Sequence, residues 1–232
     1  MSSAVFTSDR DIEKGSNSTV SPGNASTSAM PYVPTKLASA NPLGLLAFAT
    51  SLFMLSLFGL KPRGIETNNI IIANMIFLGG VAQVIAGIID FVAGNAFGAT
   101  VFSAYGAFNL AYSLIFLPGS GILASYADGN GGLKPEFEQA VALFVWQWFI
   151  ITVIFTIGAI RSNYVLLSVL SLADVTLILI ATGNMTGNEN ILRASSGFGF
   201  ASAIMSYYAA AAYLYVDGTT PFELPLFPIK RD

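Results

Sequence analysis

Charged residues vanish from this chain in long blocks. Residues 40–60, 67–89 and 139–160 hold no Asp, Glu, Lys or Arg. Each block is long enough to cross a hydrocarbon core, which takes roughly 20 apolar residues as helix. Apolar positions run continuously through these blocks, whereas the strands of a membrane barrel alternate over about 10 residues. The pattern predicts helices. Six segments follow, near 42–60, 68–92, 97–118, 137–160, 163–183 and 193–215.

The breaks between the segments carry their own chemistry. Asn41-Pro42 opens the first as an expected N-cap with proline at the first helical position. Lys61-Pro62-Arg63-Gly64 ends it. A tight turn at Gly94-Asn95 divides the second from the third. Pro118-Gly119 stops the third and leads into a polar loop through Asp128 and Gly132. Arg161-Ser162-Asn163 separates the fourth from the fifth, and Thr182 to Glu189 is expected as the last loop. The expected domains are a disordered polar tail at 1–38, a transmembrane domain at 39–216 and a short C-terminal tail at 217–232. The first tail is too polar to bury the apolar area that would offset its ordering entropy. It has no apolar signal-peptide core, so insertion is expected to be directed by the first membrane helix.

Composition sharpens this reading. Of 232 residues, 54% are hydrophobic and 10% charged, against about 25% charged in a soluble domain. Cysteine and histidine are absent, which excludes disulfides, thiolate chemistry and any triad built on His. The net charge is −3 with no basic patch, so nucleic acid is not an expected partner. With no nucleophile–base pair and no metal-ligating cluster, the sequence reads as a non-enzyme without a cofactor.

Few polar groups enter the spans. Asp90 lies near the end of the second, Asp174 near the centre of the fifth. A charge at the bilayer centre costs about 2.5–3.5 kcal/mol or more. Either carboxyl is a candidate proton site, and Asp174 also suits a cation-attracting role or a neutral hydrogen-bonded acid. Asn74, Gln83, Asn109, Gln147 and Thr176 must also find partners. They are expected as links between helices or as a pore lining. Glycines and alanines recur on the second, third and sixth spans, where they let backbones approach. Tyr105 is the candidate for a hydroxyl in an otherwise apolar wall.

An even number of spans puts both termini on one side. Near the membrane, Lys36, Arg161, Lys230 and Arg231 balance Lys61, Arg63, Lys134 and Arg193. Arg10 and Lys14 add to the terminal side, which predicts cytosolic termini. Asn17, Asn24 and Asn184 fit the glycan acceptor pattern, and with that orientation only Asn184 would face outside.

Several stretches resemble the acetate uptake transporter family, which includes bacterial succinate–acetate permeases and yeast ammonia/acetate proteins. Pro42-Leu43-Gly44-Leu45 is similar to the end of its Asn-Pro-Ala-Pro-Leu-Gly-Leu signature. Gly79-Gly80-Val81-Ala82-Gln83-Val84-Ile85-Ala86-Gly87, Gly94-Asn95-Ala96-Phe97-Gly98 and Ser103-Ala104-Tyr105-Gly106-Ala107-Phe108 are similar to three further family runs. Asp90 falls where the family usually has Glu. The similarity runs in order from about residue 39 to 215.

The resemblance implies an all-α membrane protein: a bundle of six transmembrane helices per protomer, a homo-hexamer in the plasma membrane, and a path through each protomer. It implies a constriction of Phe48, Tyr105 and Leu172. Departures are Ser39-Ala40 in place of the signature's first Asn-Pro, Asn109 in place of a Trp, and Asp174, which has no family counterpart. The expected function is transport of acetate and similar monocarboxylates, linked to a proton. The constriction would hold the methyl group and the Tyr105 hydroxyl the carboxylate. The alternatives are an ammonium or ammonia exporter on the same scaffold, which the polar departures favour, and a membrane receptor or regulatory protein without flux.

Overall fold

The computed structural model describes residues 38–65, 67–216 and 218–230. The expectation of a disordered tail falls almost wholly on residues outside these, as do Asn17, Asn24, Arg10, Lys14 and Lys36.

Six long helices carry the described chain. They are α1 (Asn41–Gly59), α2 (Ile70–Val92), α3 (Ala96–Phe116), α4 (Glu136–Ala159), α5 (Tyr164–Thr186) and α6 (Glu189–Leu214). The first five are each long and apolar enough to cross a membrane. The sixth is the longest, at 26 residues, and is richer in Ser, Ala and Gly. Two of its serines are met by neighbouring backbones: Ser202 Oγ donates to Val169 O at 2.8 Å and Ser206 Oγ to Leu45 O at 3.2 Å, while Ser195 and Ser196 donate to Leu192 O of α6 itself. Ala203, Ala209 and Ala210 are buried, so α6 lies close against both α1 and α5. Among the described residues, β-structure is confined to two isolated bridges.

Consecutive helices pack in turn, and α6 returns to α1. The α3–α4 seam is bridged by rings. Phe108 meets Trp148 edge-on with centroids 5.0 Å apart, and Phe116 meets Phe137 at 6.3 Å. Such pairs add about 0.5–1.5 kcal/mol each beyond area burial.

The second helix is π-helical over Met75–Ala82. This stretch carries Gly79-Gly80 into the closest approach of α2 to its neighbours. A Cβ on Gly79 would collide with Ser51 Oγ and lie 2.9 Å from the Asn109 amide carbon. Gly79 therefore sits where α1, α2 and α3 meet, and Gly199 of α6 lies against α1 and α5, whereas Gly197 faces open space.

Three boundaries differ from the sequence reading. The α1 helix starts at Asn41 itself, and the Asn41 side chain makes no cap bond. Ser39 Oγ accepts from the Asn41 N–H at 3.3 Å instead, and the Ala40 N–H donates to Asp90, so two N–H groups at this helix end have partners other than an Asn41 cap. The expected loop from Thr182 to Glu189 shrinks to Gly187-Asn188. Gly187 takes a left-handed φ of 62° and ends α5, and the Asn188 side chain caps α6. The polar residues there form helix ends rather than a loop. The C-terminal segment also docks: the Tyr164 N–H donates to Phe227 O at 3.0 Å and the Ile229 N–H to Ser162 O at 3.2 Å.

Candidate functional site

Three cavities follow one another along the bundle. The first, about 370 Å³, opens at the end where α1 begins and is lined by Asn41, Leu45, Phe97, Arg161 and Tyr213 among others. The second, about 340 Å³, opens at the opposite end and includes Lys61, Tyr112, Asn184, Glu189 and Arg193. Between them lies an inner cavity of about 50 Å³. It shares Leu52, Leu55, Thr176 and Ile180 with the second cavity and no lining residue with the first.

The inner cavity is built from stripes on alternate helices. Phe48, Ser51, Leu52 and Leu55 come from α1, Tyr105, Phe108 and Asn109 from α3, and Ala173, Thr176, Leu177 and Ile180 from α5. The spacings are i, i+3, i+4 and i+7 on α1 and α5. Residues so spaced share one helical face.

Its wall toward the first cavity is aromatic. The rings of Phe48 and Tyr105 lie 4.9 Å apart between centroids, and Phe155 meets the other side of Tyr105 edge-on at 5.7 Å. Tyr105 is 5% exposed. Its hydroxyl donates to Thr152 Oγ1 at 2.9 Å, and Thr152 donates on to Trp148 O at 2.8 Å. The expected contact of this hydroxyl with a solute carboxylate therefore meets a competing partner on α4.

Asn109 brings polarity to the same wall. Its Nδ2 has three oxygen acceptors within reach: Gly79 O at 3.0 Å, Tyr105 O at 3.0 Å and Gln83 Oε1 at 3.2 Å. Three acceptors on one atom assign it as the nitrogen. Gln83 is wholly buried behind Asn109, and its Nε2 has no protein partner.

The other candidates lie apart from the inner cavity. Leu172 is on α5, and its carbonyl accepts the Thr176 hydroxyl at 2.7 Å. The residues that α5 turns to the cavity are Ala173, Thr176 and Leu177, because Leu172 lies off their shared face. Asp90 is 2% exposed and receives Asn95 Nδ2 at 2.9 Å as well as the Ala40 N–H. Asn95 Oδ1 in turn caps α3 by accepting the Gly98 N–H at 3.1 Å. Asp90 and Asn95 thus tie together the starts of α1 and α3. A Cβ on Gly98 would run into the Asp90 carboxyl. Gly44 similarly gives α1 room against the Phe102 ring, which a Cβ would meet at 2.6 Å. Asp174 faces α4, where Thr156 Oγ1 lies 2.6 Å from its Oδ2. Among the described residues, no group of three or more acidic side chains could hold a metal ion.

The sequence reading named Asn109 and Thr176 as candidates for a pore lining, and both line the inner cavity; it missed Ser51, Leu52, Leu55, Phe108, Ala173, Leu177 and Ile180. Extending helical spacing from Phe48 and Tyr105 would have found those on α1 and α3.

The model of the GPR1/FUN34/yaaH family matches residues 21–231. The chain belongs to the GPR1/FUN34/yaaH family. Relatives include the meiotically up-regulated gene 86 protein of Schizosaccharomyces pombe, 34% identical over 81% of this chain and 62% of that protein. The ammonia transport outward protein 2 of Saccharomyces cerevisiae is 30% identical over 93% of this chain and 75% of its own length. Acetate permease A of Emericella nidulans is 31% identical over 82% and 66%. The chain thus spans less than two thirds of the first of these relatives. The structure of the bacterial acetate channel SatP matches with a TM-score of 0.70 and 28% identity, covering 82% of this chain and all of that one. The family resemblance read from the motifs is borne out, and the five helices able to cross a membrane, with the transporter relatives, support an integral membrane protein. The helical, membrane-spanning fold agrees with that family.

Proposed function

We propose that this chain passes small monocarboxylates such as acetate across a membrane, through a path within each protomer. The observation that carries the reading is the arrangement of two vestibules at opposite ends, joined along α1, α3 and α5 and closed by Phe48 against Tyr105. Apolar constrictions of this kind can gate by dewetting. Charge supports an acid over a cation. Lys61 and Arg193 outnumber Glu189 at one mouth, and Arg161 stands at the other. Such mouths raise the local concentration of anions. The bacterial acetate channel and acetate permease A are similar to this chain.

In this reading all six helices cross the membrane, α6 included, because its serines are met inside the bundle. The protomer is one of six in a homo-hexamer in the plasma membrane, with both termini cytosolic. Asp90, Asn95 and Gly98 hold the first vestibule in shape, and Gln83 with Asn109 holds α2 to α3 behind the constriction. Transport is linked to a proton, which would cancel the charge of the acid at the apolar wall.

A second reading is export of ammonia, favoured by similarity to the ammonia transport outward proteins. Purified protein in liposomes separates the two. Saturable uptake of labelled acetate above empty liposomes, unaffected by excess ammonium, supports the first. Ammonium flux without acetate flux supports the second. Neither flux would return the chain to the receptor reading.

A further inference from the structure

Asp174 stands in the middle of α5, next in sequence to Ala173 of the inner cavity, yet it turns to α4. Its Oδ2 lies 2.6 Å from Thr156 Oγ1, and that hydroxyl also lies 3.0 Å from Thr152 O. The Thr156 hydroxyl has a single hydrogen to donate. If Asp174 is a carboxylate, both neighbours of that hydroxyl are acceptors and one contact has no hydrogen to make it a bond. If Oδ2 carries a proton, both are bonds: the carboxyl donates to Thr156 Oγ1, and Thr156 donates to Thr152 O. The other oxygen, Oδ1, is buried without a partner.

Among the described residues, no cation is placed to compensate a charge there. Residues 139–159 of α4 hold no charged side chain, its Glu136 and Glu138 standing in the first turn at the far end, and Asp174 is the lone one in residues 162–188. On α6, Glu189 and Arg193 stand at the far vestibule. The titratable group facing Asp174 from α3 is Tyr105, which reaches the same stretch of α4 through Thr152. A carboxylate with one hydrogen bond is poorly tolerated in hydrocarbon, whereas a neutral acid leaves only a carbonyl oxygen unpaired.

We infer that Asp174 is a proton-binding site inside the membrane, occupied at neutral pH, and that it acts as a positioning residue behind the constriction. The proton leaves Thr156 bonded along α4, on the segment whose Thr152 holds the Tyr105 hydroxyl. Loss of the proton draws the Thr156 hydrogen across to α5 and places a negative charge beside Ala173, against an incoming anion. The flux consequence rests on the monocarboxylate reading; the proton site does not.

Infrared spectroscopy of the full chain in lipid tests the site without reference to any solute. At pH 7 the wild type should show a protonated-carboxyl C=O band that Asp174→Asn lacks and that Thr156→Val shifts. Identical spectra of wild type and Asp174→Asn in that region overturn the proposal. If Asp174→Asn does not assemble, Thr156→Val decides: a shifted band supports the site, an unshifted one overturns it. Acetate uptake at equal pH on both sides tests the positioning role. Wild type should fall several-fold relative to Asp174→Asn as the medium becomes alkaline, with the two similar at neutral pH. A constant ratio at all pH values overturns that role. Absence of uptake in both proteins would instead count against the monocarboxylate reading and leave the infrared result standing.

Discussion

The rings of Phe48 and Tyr105 meet at 4.9 Å between the first vestibule and the inner cavity, and the Tyr105 hydroxyl is bonded to Thr152 on α4. Ring and hydroxyl therefore have separate tasks. The ring closes the path, and the hydroxyl anchors the ring to the far wall.

Tyr105→Phe separates the two. It keeps the ring and removes one interhelical hydrogen bond, worth about 0.6 kcal/mol on average within a membrane and about 1.7 at most. Acetate flux in liposomes should stay within about threefold of wild type, since the average loss of about 0.6 kcal/mol moves an equilibrium by slightly less than threefold. The melting temperature in detergent should fall slightly.

Gly79→Leu places a side chain where Ser51 Oγ and the Asn109 amide already lie. Overpacking of this kind costs about 1–3 kcal/mol. The variant should melt at lower temperature. Gly197→Ala is the control, because a Cβ there meets nothing within 4 Å.

Asn163 caps α5 by accepting the Leu166 N–H at 2.8 Å, and the bridge to Pro228 is formed at the same residue. Asn163→Ala should cost about 0.5–2 kcal/mol, read as a lower melting temperature. Asn163→Asp keeps an acceptor and should restore most of it.

The Asp128 loop carries a pH dependence. Asp128 Oδ1 accepts the Asn130 N–H at 2.8 Å and the Gly132 N–H at 2.9 Å. These bonds hold its carboxyl below the ordinary value of 3.8. A folded value below the unfolded one gives a contribution that is complete above the unfolded value and lost as pH falls through the folded value. Hydrogen exchange at Asn130 and Gly132 should stay slow above pH 3.8 and lose its protection below it. Asp128→Ala should abolish the protection at every pH.

Much of the fold was legible because hydrocarbon leaves a coarse signature. Uncharged blocks marked α1, α2 and α4, and Gly94-Asn95 and Arg161-Ser162-Asn163 marked two turns. The start of α6 was missed because Asn188, Glu189, Asn190 and Arg193 are polar, and polar helix ends outside the hydrocarbon look like loop. Tyr105 stood out as a hydroxyl in an apolar run, Phe48 came from motif resemblance, and the structure brings them together. Leu172 shows where that route weakens. On α5 nearly every residue is apolar, so composition does not distinguish the cavity face from its neighbours, and a one-residue difference in register turns a side chain by about 100°. The partners of Asp90 and Asp174 depend on which helices meet, which a single sequence does not encode locally.

The central claim is that Phe48 against Tyr105 closes an acetate path. Acetate uptake into liposomes holding wild type or Phe48→Ala, with and without an inward proton gradient, tests it most directly. The account predicts saturable uptake that the gradient drives, and faster, less selective uptake in Phe48→Ala, which opens to solutes bulkier than acetate. Uptake unchanged by Phe48→Ala in rate and selectivity would contradict it.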